Sequence, residues 1–397
     1  MKAVAVPTAA LLGLRDLSDD VLEAWRDVAA RALEPNSFFH PDMAVPAARH
    51  LPGGEHDRLV AVFGDGGALQ FALPVRRAAR YRRVPVPAYR AWGHDQAFLD
   101  MPLVAPGDPV RAWAAALDVL RSAGAEWLVF ERLPGDGPVR AALDAALPGG
   151  ASQSRVLGQH ERPVLRRRPQ PTYLDGRLSG QRRKRLRRQH RNLEAAVGGA
   201  LTVGDRAETD LAGALERFLE LERAGWKGQA GTALASRPDE AAFFREAMTA
   251  FARRGCAQLW ELGTAKQTVA SLCAIAGGGG VFHVKTAYDE RLAAHSPGLQ
   301  LELALVDEFH RDVRLSWVDS CTSAGPSPSS LLYPDRRPIQ NVVVPLGGLR
   351  ARTGAHALQH GLRGRDWADE RARTLLRRVR RASPRGTRLH DGRPASP

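Results

Sequence analysis

Read along this chain, one order of elements occurs twice: three strand candidates, a helix, then a further strand. That repetition restricts the folds open to it. In the first half, residues 59–63 and 69–75 pattern as a hairpin turned at Gly64-Asp65-Gly66-Gly67, and 84–92 as a third strand. Asp108-Pro109 then opens a helix to about Ala123, and 126–132 alternates as a strand. In the second half, 257–262, 269–276 and 281–288 are strand candidates, followed by a helix over 297–311 and a strand over 315–320. Two amphipathic helices, 211–224 and 238–253, precede that second set. The order predicts a mixed α/β fold in tandem, with the boundary between Pro163 and Gln181.

A length of 397 residues suits two such units, and 44% hydrophobic with 25% charged residues allows substantial cores. Cys256, Cys273 and Cys321 form no CxxC pair and no zinc spacing, so the reading expects no metal and a reducing, cytoplasmic setting. The proline-broken run at the start does not read as a signal peptide, and no apolar run is long enough to predict a transmembrane helix. The net charge of +14 is concentrated late in the chain, where arginines dominate from Arg350 onward. A basic tail over 349–397 is therefore expected to be flexible and able to touch an anionic surface. The second basic cluster, residues 182–191, could meet phosphates or could be a solvated helix face; no aromatic residues interleave it.

The stretch from 281 to 301 carries the most chemistry. Ser296 suits an N-cap, Pro297 the first helical position, and Gly298 close approach of a ligand, so this helix start can serve as an anion site or simply as an ordinary cap. Only five lysines (Lys2, Lys184, Lys227, Lys266, Lys285) stand among 57 basic residues, so Lys285 on a presumed inner strand suggests a chosen ammonium. Strict alternation puts His283 and Lys285 on one face, with Asp319 on the next strand as the expected partner of Lys285. A snorkelling lysine and a turn-capping aspartate are the alternatives. Cys321 has no His-centred triad spacing to make it a nucleophile.

These residues carry a resemblance. Gly225-Trp226-Lys227-Gly228, the run Val284 to Glu290, Ser296-Pro297-Gly298, Trp317-Val318-Asp319 and Tyr333-Pro334 resemble the GNAT acyltransferase superfamily over residues 175–346. Within it they are similar to the CelD-type branch associated with cellulose and exopolysaccharide synthesis, itself related to Fem-type aminoacyl transferases. Asn36-Ser37-Phe38-Phe39 and Met101-Pro102-Leu103-Val104 resemble the degenerate first repeat of such proteins. The chain departs from the usual Gln/Arg-x-x-Gly-x-Gly/Ala loop, with His295-Ser296-Pro297-Gly298 in its place.

The resemblance implies two GNAT-like domains, 1–170 and 175–348, each a mixed, mainly antiparallel sheet flanked by helices. It implies splayed strands at 281–288 and 315–320 that take the pantetheine of acetyl-CoA or another acyl-CoA. Backbone N–H groups from Val284 to Thr286 would face the thioester, and the turn from Ser296 through Pro297 and Gly298 to Leu299 would hold the pyrophosphate. Lys285, Asp319 and Tyr288 would be catalytic, while Trp226, Lys227 and His283 would meet the acceptor. The implied activity is N-acyl transfer to an amine of a small metabolite, sugar or envelope precursor. A transferase using aminoacyl-tRNA and a non-catalytic module of an exopolysaccharide pathway are the alternatives.

Overall fold

The computed structural model, which describes residues 8–323 and 325–362, lays both repeats along one continuous sheet. The first half runs β1 (Thr8–Gly13), α1 (Asp19–Arg31), α2 (Pro41–His50), β2 (Asp57–Phe63), β3 (Leu69–Tyr81) and β4 (Val84–Ala91). It continues through β5 (Leu103–Val104), α3 (Pro109–Ser122), β6 (Trp127–Pro134), α4 (Pro138–Ala146) and β7 (Arg155–Arg166). The second half opens with α5 (Gly180–Val197), β8 (Thr202–Asp205), α6 (Leu211–Ala224), α7 (Trp226–Gln229) and α8 (Pro238–Ala252). Then come β9 (Ala257–Gly263), β10 (Thr268–Gly277), β11 (Gly280–Tyr288), α9 (Pro297–Arg311), β12 (Trp317–Asp319), α10 (Pro328–Leu332) and β13 (Asp335–Pro345).

Every strand and helix of the twice-read order is present, and the second-half helices α6 and α9 keep the bounds that their periodicity predicts. Asp108 caps α3 by accepting from the Arg111 N–H, as expected of that residue before a proline. The last strand of the repeat, β12, is shorter than expected. The basic cluster at 182–191 lies on α5, whose Leu186 and Leu193 are buried while most of its arginines are exposed. What was expected of the tail beyond residue 362, and of residues 1–7, falls outside the described residues.

The strand order is β1-β2-β3-β4-β6-β13-β7-β12-β11-β10-β9-β8, with β5 against β3. Each half therefore ends by giving its last strand to the other. β7 leaves the first half to lie antiparallel to β12, and β13 leaves the second half to lie antiparallel to β6. The two exchanged strands then pair with each other from Asp335↔Val164 to Val343↔Arg155, joining the halves at the centre of the sheet. The core follows the same plan. One apolar cluster holds Trp113 and Phe130 of the first half together with Phe218, Phe244 and Phe282 of the second. Phe38 and Phe282 meet edge to face across that seam at 5.3 Å between ring centres.

Candidate acyl-transfer site

The parallel pair β11 and β12 is joined over only three positions, Gly280↔Trp317, Val281↔Val318 and Phe282↔Asp319. The apex is tight: a Cβ on Gly280 would lie 2.0 Å from the Trp317 indole, so only glycine fits there. β11 then continues to Tyr288 against β10 alone, and no described backbone hydrogen bond from another segment reaches residues 283–288 on the side facing β12. An unpaired strand edge of this kind offers N–H and C=O groups to an extended ligand.

The first half has the corresponding parallel pair, β4 with β6, joined at Ala88–Trp127 to Arg90–Val129. Its opening is filled by the chain itself. The Asp100 N–H donates to the Arg132 carbonyl at 3.1 Å, and its carboxylate accepts from the N–H groups of Glu131 and Arg132 at 2.8 and 2.9 Å. Of the two parallel pairs, the second is the one whose edge is not taken up in this way.

A β-bulge decides which side chains face which way. The register of β10 against β11 slips between Cys273↔Lys285 and Ala274↔His283, leaving Val284 as the extra residue. Simple alternation fails at that point, so His283 and Lys285 do not share a face as the sequence predicted. His283 is buried with its Nδ1 3.2 Å from the Tyr333 hydroxyl, whereas Lys285 turns to α6. Burial drops the His283 pKa to about 4, so its imidazole is neutral at pH 7.

The expected pairing of Lys285 with Asp319 is also corrected. Lys285 Nζ donates to Glu222 Oε1 at 2.7 Å, and Lys227 Nζ donates to the same oxygen at 3.0 Å. Glu222 Oε2 accepts from the Leu234 N–H at 2.8 Å, which ties the loop after α7 to the carboxylate. Burial alone would raise the Glu222 pKa, but Lys285, Lys227 and the Leu234 N–H outweigh it and hold the carboxyl below its ordinary value. Burial lowers the pKa of Lys285, with Glu222 opposing. Two cations thus share one anion, a small net positive knot at the C-terminal end of α6.

Asp319 closes β12 with a different partner. Its Oδ1 accepts from the Cys321 N–H at 2.7 Å and its Oδ2 lies 3.6 Å from Arg162 Nη1, with both side chains 2% exposed. Cys321 sits in the left-handed region at φ 53°, and burial pushes its thiol well above the ordinary range, which argues against a nucleophile.

At the start of α9, Pro297 and Gly298 are buried and Leu299 is half-buried. Ser296 does not cap the helix as expected. It adopts a left-handed φ of 56° and makes no capping hydrogen bond; its Oγ instead accepts from Gln189 Nε2 of α5 at 3.3 Å. The tip is therefore uncapped by side chains but covered by α5 on one side, and on another by Tyr288 and Thr286, which lie 3.4 and 3.9 Å from where a Gly298 Cβ would stand. Trp226 is 58% exposed, so the tryptophan faces solvent rather than plugging the core, and its backbone N–H donates to Glu290 Oε1.

Three buried polar residues escaped the sequence reading. Glu222 extends the apolar stripe Leu215, Phe218, Leu219 on α6, and Glu302 lies within the buried stripe Leu301, Leu305, Val306, Phe309 on α9. A carboxylate at a core position of a periodic helix was the available signal. Tyr333 had only its place in the motif. Burial raises Glu302 to about 7, against the hydrogen bond from the Ser329 hydroxyl. Because its folded pKa lies above the ordinary 4.5, the stability it contributes is complete below that value and is lost as the pH rises through about 7. Glu302→Gln should accordingly flatten the pH dependence of unfolding across this window by about 3 kcal/mol relative to the parent chain. Urea titrations at several pH values check this, and parallel curves for the two proteins would contradict it.

Among the described residues, no group of three His, Cys, Asp or Glu side chains is placed to hold a metal ion, and no helix is long and apolar enough to cross a membrane.

A bulged strand thus parts from its parallel neighbour opposite a helix start. Residues 180–326 match the family described as acetyltransferase (GNAT) domain. Over these residues the chain carries a GNAT-type acyltransferase domain. Among solved structures, it is similar to FemX at 12% identity, covering 82% of this chain and 94% of that one with a TM-score of 0.51. It is similar to the C-terminal domain of a putative lysylphosphatidylglycerol synthetase from Agrobacterium fabrum at 13% identity, covering 84% and 94% with a TM-score of 0.50. A conserved protein of unknown function from Bacteroides thetaiotaomicron aligns at 10% identity over 82% and 98%, with a TM-score of 0.53. At these identities the likeness is one of fold. No curated protein matches the chain in sequence.

Proposed function

We propose that the protein is an N-acyltransferase that takes an acyl group, in the first instance acetyl from acetyl-CoA, and passes it to the amine of a small metabolite, sugar or envelope precursor. The observation that carries this reading is the edge of β11 that lies unpaired from 283 to 288 beside the bulge at Val284. Pantetheine laid along that edge brings the thioester carbonyl to the N–H groups from Val284 to Thr286, which would stabilise its developing negative charge. The amine nitrogen attacks the carbonyl carbon and the C–S bond breaks. Asp319 takes the proton from the amine, and the Tyr288 hydroxyl supplies one to the departing thiolate. Lys285, locked to Glu222, fixes the positive potential beside the carbonyl, and the tip at Ser296 to Leu299 accepts the pyrophosphate. Trp226, Lys227 and His283 remain the proposed acceptor contacts.

Acetyl-CoA at about 100 times its dissociation constant should raise stability by about 2.7 kcal/mol, a shift that thermal unfolding reads directly. Lys285→Ala and Asp319→Asn should bind the thioester and lose about 10²-fold or more in turnover, followed by mass spectrometry of an acylated extract. Unchanged rates in both would remove these residues from the chemistry.

A second reading has its own observation. Arg182, Lys184, Arg185, Arg188 and Arg191 of α5 line a cavity of about 550 Å³, and Gln189 of the same helix covers the tip of α9. Such a surface suits a larger polyanionic carrier, as in transfer from aminoacyl-tRNA. Salt-dependent tRNA binding without an acetyl-CoA shift selects this donor.

A further inference from the structure

Where the two halves meet, a cavity of about 300 Å³ is walled by Glu34 and Asp136 of the first half and by Trp317, Asp319 and Arg337 of the second. Its rim is tied by ion pairs across the seam: Arg337 Nη2 donates to Glu34 Oε1 at 2.6 Å, and Arg337 Nε lies 3.4 Å from Asp136 Oδ1. Two of its three carboxylates are thus already satisfied by one arginine. The third is not. Asp319 Oδ2 has no hydrogen-bond partner, and neither have Nε and Nη1 of Arg162 behind it, although both side chains are 2% exposed. Arg162 spends its remaining nitrogen, Nη2, on the Phe98 carbonyl at 2.7 Å.

Folded proteins leave few buried polar atoms without partners, because each forfeits its bonds to water for nothing. Of these atoms Asp319 Oδ2 belongs to a residue that lines the cavity, where a ligand can complete its bonding. The place matters as well. Asp319 pairs with Phe282 at the last joined position of β11 and β12, so this carboxylate stands at the apex of the opening that would hold the acyl donor. The cavity therefore leads from the first half to the point of transfer.

We infer that the seam cavity, which none of Trp226, Lys227 and His283 lines, is the acceptor site in their place and that it takes a polar primary amine. The amine N–H donates to Asp319 Oδ2, and hydroxyl or carboxylate oxygens of the same molecule accept from Arg166 and Arg337 on the wall. Arg337, held between Glu34 and Asp136, becomes a specificity-determining residue supplied by the second half but positioned by the first. This rests on the acyl-transfer reading for what the bound amine is used for. Binding itself needs no acyl donor, so the test below stands apart from the donor test.

The experiment is ligand-observed NMR on the full chain with glucosamine and glycine as probes, each beside its N-acetylated form. At least one amine should give a saturation-transfer signal that its N-acetylated form loses; which one responds separates an amino-sugar from an amino-acid acceptor. Val164→Phe, which fills the cavity from β7, should abolish the signal, and Arg337→Ala should weaken it about tenfold or more. Pro35→Phe fills the space from the opposite wall and serves where Val164→Phe does not fold. No signal from either amine, equal signals from the acetylated forms, or full binding in a folded cavity-filled variant overturns the inference.

Discussion

Residues 175–348 produced alone will not fold cooperatively, although the family match lies wholly within them. The reason is the strand exchange. β12 is only three residues long, and on the side away from β11 it is bonded to β7, which belongs to the first half. β13 loses more, since both of its neighbours, β6 and β7, are first-half strands. The fragment would present the inner faces of Phe218, Phe244 and Phe282 to water where Trp113 and Phe130 now lie in the same cluster. Burying one such aromatic side chain is worth about 1.5–3 kcal/mol, so losing several together removes as much as the whole stability of an ordinary domain. Circular dichroism against denaturant should give a shallow transition for 175–348 and for 1–170. Co-production of 1–170 with 175–348 should restore a single sigmoidal one. A steep transition from 175–348 alone would show that the exchange is dispensable.

The second large effect is expected at Glu222. Glu222→Ala leaves Lys285 and Lys227 facing each other with no anion between them and strips the Leu234 N–H of its acceptor. Removing one member of a buried ion pair costs about 3–5 kcal/mol, because the uncompensated charge remains in place. Glu222→Gln keeps an oxygen for the Leu234 N–H and should cost less. The double variant Glu222→Ala with Lys285→Met should recover part of the loss, since the stranded ammonium goes with it. Equilibrium unfolding in urea measures all three. A loss in Glu222→Ala comparable to that of an exposed glutamate would mean that the lysines find water instead.

Much of the architecture was legible because its elements are strongly periodic. The stripes of α6 and α9 fix their bounds, and the Gly64 to Gly67 turn fixes the hairpin of β2 and β3. What could not be read was which strand lies beside which. β7 and β13 stand at the centre of the sheet yet contain Pro163 and Pro338, and they carry arginines and glutamines where a central strand is expected to be apolar. Arg162 is tolerated there because Asp319 lies against it, a contact between the halves that no local pattern announces.

The elements around the candidate site were legible, and the side-chain pairings within it were not. The parting of β11 from β12 and the helix start at Pro297 fall where the sequence placed them. The bulge at Val284 inverted the alternation from which His283 and Lys285 were assigned one face, and one inserted residue is invisible to a period-two reading. Lys285 was singled out by its rarity, but its partner came from a helix whose glutamates look alike until the sheet beneath them is known. Ser296 was read as a cap from residue type, whereas its left-handed backbone turns the hydroxyl toward Gln189.

Acyl transfer as proposed requires the unpaired edge of β11 to receive an acyl thioester. Hydrogen exchange of the full chain, followed by mass spectrometry with and without saturating acetyl-CoA, tests this most directly. Slower exchange is expected, confined to residues 283–288 and to the first turn of α9 at 298–300. Unchanged exchange along 283–288 while acetyl-CoA is demonstrably bound elsewhere, or no response to acetyl-CoA at all, would contradict it.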